Sequence, residues 1–159
     1  MEVHTSQRGT TMVVIPKRIL AFDPGGTTGY AVLIDDKDDK IDTGILEGEH
    51  HHPLLNFLHD WAPETIVYER FDYRRNKKHA ELDSVEYIGV IKMYGQMTNC
   101  PIIEQPQLKG QKGFWTDDKL KELELYTPNI THPNDAVRQL LYYITFTLKD
   151  LRWVEKLKA

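Results

Sequence analysis

The sequence predicts an α/β fold on a five-stranded mixed sheet, a three-strand antiparallel meander followed by two parallel strands, with helices flanking it. Three observations carry that prediction. Five short apolar or β-branched runs, at 18–22, 30–34, 41–48, 64–70 and 101–105, have the length of strands. Only turn-rich segments separate the first three. Stretches with helical spacing of apolar residues separate the third, fourth and fifth, and a helical crossover implies parallel pairing.

Residues 1–16 read as a flexible N-terminal arm, and 17–159 as a single domain. "RILAF" is a continuous apolar run, hence a buried strand, and "YAVLI" after a glycine loop is its hairpin partner. "DDKDDK", residues 35–40, is a solvated turn from which "IDTGILEG" returns as the third strand. Leu54, Leu55, Phe57, Leu58 and Trp61 form a helical stripe behind Pro53, which suits a first turn. "ETIVYER" is the fourth strand, rich in β-branched and aromatic residues. A helix over 82–98 is expected to turn Val85, Ile88, Ile91 and Tyr94 inward, and "PIIEQ" is the fifth strand. A short helix in "TDDKLKELEL" has Asp117 and Asp118 favourably placed in its first turn. One long helix is expected from Pro133 to about Val154. This element order is that of the RNase H-like fold.

Composition narrows the class. A chain of 159 residues with 40% hydrophobic and 28% charged residues suits one domain with a real core, too short for two nucleotide-binding lobes. Cys100 is the only cysteine, which excludes an intramolecular disulfide and a cysteine-based zinc site. No apolar stretch approaches the roughly 20 residues of a membrane span, and the start lacks the order of a signal peptide. A soluble, cytoplasmic protein without membrane partners is expected. The net charge of −4 argues against a general nucleic-acid coat, but the charges are segregated along the chain.

Three carboxylates fall at meaningful places. Asp23 ends the first strand, Glu69 ends the fourth, and Asp135 lies in the first turn of the last helix. Were the first and fourth strands parallel neighbours, Asp23 and Glu69 would emerge at one sheet edge, with Asp135 completing an oxygen-rich cluster. Such a cluster suits Mg²⁺ or Mn²⁺, two of which can activate water and stabilise the leaving oxygen of a phosphodiester. Each acid also has an ordinary reading: Asp-Pro-Gly makes turns, Glu69 can pair with a surface cation, and Asp135 favours a helix start. Their coincidence is what points to nuclease chemistry.

"FDPGGTTGYAV", "VYERF", "QPQLKG" and "HPNDAVRQLLYYI", in this order and spacing, resemble the RuvC-type Holliday junction resolvases, especially the small versions encoded by bacteriophages. The similarity spans about residues 18–148. It implies that Asp23, Glu69 and Asp135 are metal ligands. His132, one helical turn before Asp135, matches a position held by an acid or a histidine, and would bind metal or donate a proton to the leaving oxygen. Lys109 would contact phosphate or the transition state. "RFDYRRNKK" follows Glu69 with five basic residues and one acid. The resemblance places a base-wedging aromatic there, Phe71 or Tyr73, while Arg70, Arg74, Arg75, Lys77, Lys78 and the later Lys112 would hold DNA backbone. It further implies paired nicking of branched DNA, four-way junctions and possibly forks and flaps, by a homodimer with about two Mg²⁺ or Mn²⁺ ions per site. A phage-encoded enzyme would work in the host cytoplasm.

"GQKGFWTDDKLKEL" departs from the family's usual glycine-rich stretch, with Trp115 and Lys119 in its place. His50, His51 and His52 read as a solvated loop. Two rival readings remain open: a non-catalytic module that binds branched DNA, and a phosphate-binding domain like those of actin-like ATPases or sugar kinases. The second needs another lobe, for which the chain has no room.

Overall fold

The computed structural model describes residues 18–25, 27–35, 39–47, 51–70, 80–107 and 113–159. The proposed arm and Phe71, Tyr73, Arg74, Arg75, Lys77, Lys78, Lys109 and Lys112 lie outside the described residues.

The strands are β1 (Ile19–Asp23), β2 (Thr28–Asp35), β3 (Lys40–Leu46), β4 (Thr65–Glu69) and β5 (Ile102–Gln105), joined in one sheet of order β3-β2-β1-β4-β5. β1, β2 and β3 pair antiparallel, whereas β4 pairs parallel with both β1 and β5. Helices α1 (His52–Trp61) and α2 (Ala80–Thr98) precede β4 and β5, and α3 (Asp117–Glu122) and α4 (Thr131–Tyr142) follow the sheet. This is the expected RNase H-like architecture.

Both faces of β1 are covered, which is why its sequence is continuously apolar rather than alternating. Ile19 and Ala21 point to the face where α4 lays Ala136, Val137, Leu140 and Leu141, with Trp115 and Leu120 beside them. Leu20 and Phe22 point to the other face, under Leu54 and Leu58 of α1 and Tyr87, Ile88 and Ile91 of α2. On the α4 side the sheet presents small residues, Ala21, Ala31 and Gly29. A Cβ on Gly29 would lie 2.1 Å from the His132 carbonyl oxygen and 2.6 Å from the Pro133 nitrogen. Glycine is therefore required for α4 to begin directly on β2.

Two expectations need correcting. Val85 is 48% exposed, while Ile88, Ile91 and Tyr94 are buried as expected. α2 carries apolar residues around much of its circumference, so spacing alone did not identify the buried face.

The single helix expected from Pro133 to about Val154 begins earlier, at Thr131, which puts Asp135 beyond its first turn, and it is interrupted, so that Asp135 is not on the last helix. α4 gives way to a π-helical turn at Tyr143–Thr147, the chain turns through Lys149 at φ 59°, and α5 (Arg152–Lys156) follows. The cause is Asp150, whose Oδ1 accepts from the Arg152 backbone N–H at 3.1 Å and whose Oδ2 accepts from Arg152 Nε at 2.8 Å. A short carboxylate bonding backbone two residues on competes with the helix. Arg152 Nη1 also reaches Asp39 Oδ1 at 2.8 Å, and Lys156 Nζ reaches Asp39 Oδ2 at 3.3 Å, fastening α5 to the start of β3.

Burial alone would raise the Asp150 carboxyl, but hydrogen bonds from the Arg152 side chain and backbone, with its charge, hold it below the ordinary 3.8. Its stabilisation is present above that value and lost as pH falls through the lowered one. Asp150→Asn is expected to remove about 2 kcal/mol at neutral pH. Thermal melts should show that loss and a gap to wild type that narrows toward acid pH.

Candidate active site

The register of β1 and β4 sets Phe22 opposite Tyr68. Asp23 and Glu69 are the next residues on their strands, so both leave the sheet at one edge. Alternation puts them on the face of Ala21 and Val67, which is the face of α4. Gly29, opposite Asp23 in β2, seats the first turn of α4 above that edge.

α4 meets each acid with a different donor. His132 Nδ1 lies 2.8 Å from Asp23 Oδ2, the side chains being 41% and 21% exposed. Gln139 Nε2 donates to Glu69 Oε2 at 3.0 Å. Arg138 Nη1 donates to Asp135 Oδ1 at 2.9 Å, and its other nitrogens engage Asp117 and, at 2.8 Å, the Trp115 carbonyl. Beside Asp135 opens a cleft of about 370 Å³ walled by Tyr126, Asn134 and Arg138 among others.

His132 titrates above the ordinary 6.5, chiefly through its hydrogen bond to Asp23, against the opposing effect of burial, with the charges of Asp23 and Asp135 adding to the rise. The stability this pair contributes is full below the ordinary value and is lost as pH rises through the raised one.

The Gln139 contact has a buried support of its own. Gln105, at the end of β5, donates from Nε2 to Gln139 Oε1 at 2.6 Å and to the Gln139 carbonyl at 3.0 Å. The two residues are only 3% and 1% exposed. Neither amide drew attention in the sequence, since glutamine ordinarily marks solvent. The available signal was the position of Gln139 four residues after Asp135, beside the apolar Leu140 and Leu141. Gln139→Leu removes the amide that donates to Glu69, and if the site cleaves phosphodiesters the rate is expected to fall about 10- to 100-fold. It also leaves Gln105 short of an acceptor, at about 1–3 kcal/mol. Rates measured well below the melting temperature separate the two effects.

The loop between Asp23 and β2 is held internally. The fully buried Thr28 accepts from Gly25 N–H at 3.2 Å and donates to the Gly25 carbonyl at 3.1 Å. Its hydroxyl closes the turn rather than facing a phosphate. Trp115 is buried, and Lys119 Nζ donates to the Phe114 carbonyl at 2.7 Å, so both serve packing around α3. Arg70 is exposed at the end of β4, its backbone N–H donating to the Gln105 carbonyl at 2.6 Å.

The donors gathered here are hard carboxylate oxygens with one imidazole, a set that fits Mg²⁺ or Mn²⁺. The cluster is not closed: among the described residues, no three of His, Cys, Asp or Glu converge tightly enough to hold an ion. Asp23 and His132 are in contact, while Glu69 and Asp135 are held by Gln139 and Arg138.

No family model matches the sequence, and no curated protein does. Among solved structures, RuvC of Thermus thermophilus in complex with a Holliday junction substrate superposes with a TM-score of 0.64 over 83% of this chain and 96% of its own, at 15% identity. The fold is that of RuvC. A second Thermus thermophilus RuvC structure gives a TM-score of 0.60 at 17% identity over the same shares of both chains. The yeast mitochondrial Holliday junction resolvase Ydc2 gives 0.52 at 16% identity, over 91% of this chain and 82% of its own. On the RuvC fold, then, this chain sets its acids at the shared edge of β1 and β4, beneath the start of α4.

Proposed function

We propose that this protein is a metal-dependent endonuclease selective for branched DNA, resolving four-way junctions by paired nicks as a homodimer. The observation that carries the reading is that Asp23 and Glu69 leave one sheet edge on adjacent parallel strands, with His132 at the start of α4 against Asp23 and Asp135 one helical turn farther along. The Holliday junction bound to one protein of the same fold supports the choice of substrate.

Asp23, Glu69, Asp135 and His132 would hold the metal. When bound, Mg²⁺ or Mn²⁺ supplies an activated water and stabilises the oxygen leaving phosphorus. The chain prepares the site by concentrating negative charge where α4 meets the sheet and by fixing each carboxylate through a separate donor. With Nδ1 against Asp23, His132 has Nε2 left for one of two roles, ligand to the metal or, when protonated, donor to a leaving 3′ oxygen. Lys109 supplies a cation for the phosphate. The basic segment Arg70, Arg74, Arg75, Lys77 and Lys78, with Lys112, holds backbone, while Phe71 or Tyr73 stacks on an unpaired base at the branch.

The rivals explain less. A branched-DNA-binding module has no use for a buried amide, Gln139, committed to Glu69 and backed by a second, Gln105. A nucleotide cradle is disfavoured by Thr28, which spends its hydroxyl on its own loop.

End-labelled four-way, three-way and linear duplexes incubated with Mg²⁺, Mn²⁺ or EDTA test the proposal. Symmetric nicks in the four-way junction with either metal, none in EDTA and little cutting of linear DNA are expected. ATP turnover without cleavage of any DNA would contradict it.

A further inference from the structure

Arg138 sets a cation directly against one acid of the site. Its guanidinium gives each nitrogen to a separate partner: Nη1 to Asp135 Oδ1 at 2.9 Å, Nη2 to Asp117 Oδ1, and Nε to the Trp115 carbonyl at 2.8 Å. The Arg138 side chain is only 11% exposed and that of Asp135 20%, whereas Asp117, in the first turn of α3, is 55% exposed. An ion pair three residues apart on an open helix face contributes little. At this burial the arginine charge is weakly screened and acts strongly on any other cation that approaches Asp135. All three residues line the cleft of about 370 Å³ beside the start of α4, so an ion reaching Asp135 through it passes the guanidinium.

A carboxylate that accepts from a guanidinium gives less to a divalent ion, and the two cations repel each other. Arg138 does not rely on Asp135 alone for its partners. Asp117 and the Trp115 carbonyl approach it from the segment that leads into α3, and both remain to it when Asp135 turns toward a metal. Without Asp117, Asp135 would be the one carboxylate left among these three partners, and the guanidinium would hold it harder. The strength of the competition at Asp135 is therefore set at Asp117, outside the group of acids at the sheet edge.

We infer that Arg138 is a resident cation that competes with the divalent ion for Asp135, and that Asp117 is the positioning residue that limits the competition. The inference rests on the metal-site reading and deepens it. Three carboxylates near one sheet edge would repel a DNA phosphate before any metal arrives, and Arg138 offsets one of them. The cost falls on metal affinity in the absence of DNA.

Calorimetric titration of the full chain with Mn²⁺, without DNA, tests this on wild type, Arg138→Gln, Asp117→Asn and the double variant. Removing the guanidinium charge should tighten Mn²⁺ binding about tenfold, and Asp117→Asn should weaken it about fivefold. In the Arg138→Gln background, Asp117→Asn should change affinity less than about twofold, because Asp117 acts through the arginine. Melting in EDTA records separately what each substitution costs the contact between α3 and α4. An arginine that only braces those helices would lower the melting temperature without tightening Mn²⁺ binding. Should Arg138→Gln fail to fold, the exposed Asp117 carries the test: weakening by Asp117→Asn that Asp117→Glu restores supports the inference, and unchanged affinity overturns it. Saturable Mn²⁺ binding by wild type that a folded Arg138→Gln does not tighten, or an Asp117→Asn effect of equal size with and without Arg138, overturns this inference and leaves the metal site standing. Absence of Mn²⁺ binding by both wild type and folded Arg138→Gln overturns the metal site, and the inference with it.

Discussion

Asp23→Asn is expected to reduce Mg²⁺-dependent junction cleavage by about 10³-fold or more, roughly 4 kcal/mol of transition-state stabilisation, while leaving junction binding within about twofold. The amide keeps the shape of the carboxylate but loses the charge that would hold a divalent ion. Backbone contacts with DNA depend on cations elsewhere in the chain, so affinity should survive. The same substitution has a signature independent of catalysis. Asp23 is the main cause of the raised His132 titration, so the imidazole should titrate lower in the variant, as NMR can read. Full cleavage by Asp23→Asn would remove Asp23 from the chemistry.

Gly29→Ala is the second large effect, and it acts through architecture. The added Cβ would lie 2.1 Å from the His132 carbonyl oxygen and 2.2 Å from its carbon, both backbone atoms that cannot swing aside. The first turn of α4 must move off β2, at a cost of about 1–3 kcal/mol for overpacking. It takes His132 away from Asp23 and Asp135 away from the edge. Cleavage should fall further than the drop in melting temperature explains, because positioning within about 1 Å governs rate. Gly89→Ala contrasts with it in stability: no atom of the chain lies within 4 Å of the added Cβ, and alanine should stabilise the helix by about 0.5–1 kcal/mol.

Much of this was legible in the sequence, for physical reasons. Buried strands appear as short apolar runs, and an acid ending such a run must leave the sheet at its edge, so Asp23 and Glu69 could be found before their partners were known. Asp135 was visible as an acid near a helix start, and His132 through the family resemblance, which marks the position one turn before it. Arg138, Gln139 and Gln105 were not, because polar residues inside a core look like surface until the fold shows what they hold. Gly29 was overlooked among neighbouring glycines; its need is set by the approach of His132, 103 positions later in the 159-residue chain. The break after α4 was hidden because Ile144 and Trp153 continue the apolar pattern through it, while the interruption comes from Asp150 bonding Arg152. Val85 misled in the opposite direction, an apolar residue whose place is the outer face of α2.

The central claim is that Asp23, Glu69, Asp135 and His132 form one divalent-metal site. Calorimetric titration of the wild-type chain with Mn²⁺, in the absence of DNA, tests it most directly when repeated on Asp23→Asn, Glu69→Gln and Asp135→Asn. The account predicts saturable binding by wild type and a loss of at least tenfold in affinity for each variant, with melting temperatures in EDTA close to wild type. Mn²⁺ binding that is unchanged in all three variants would contradict it.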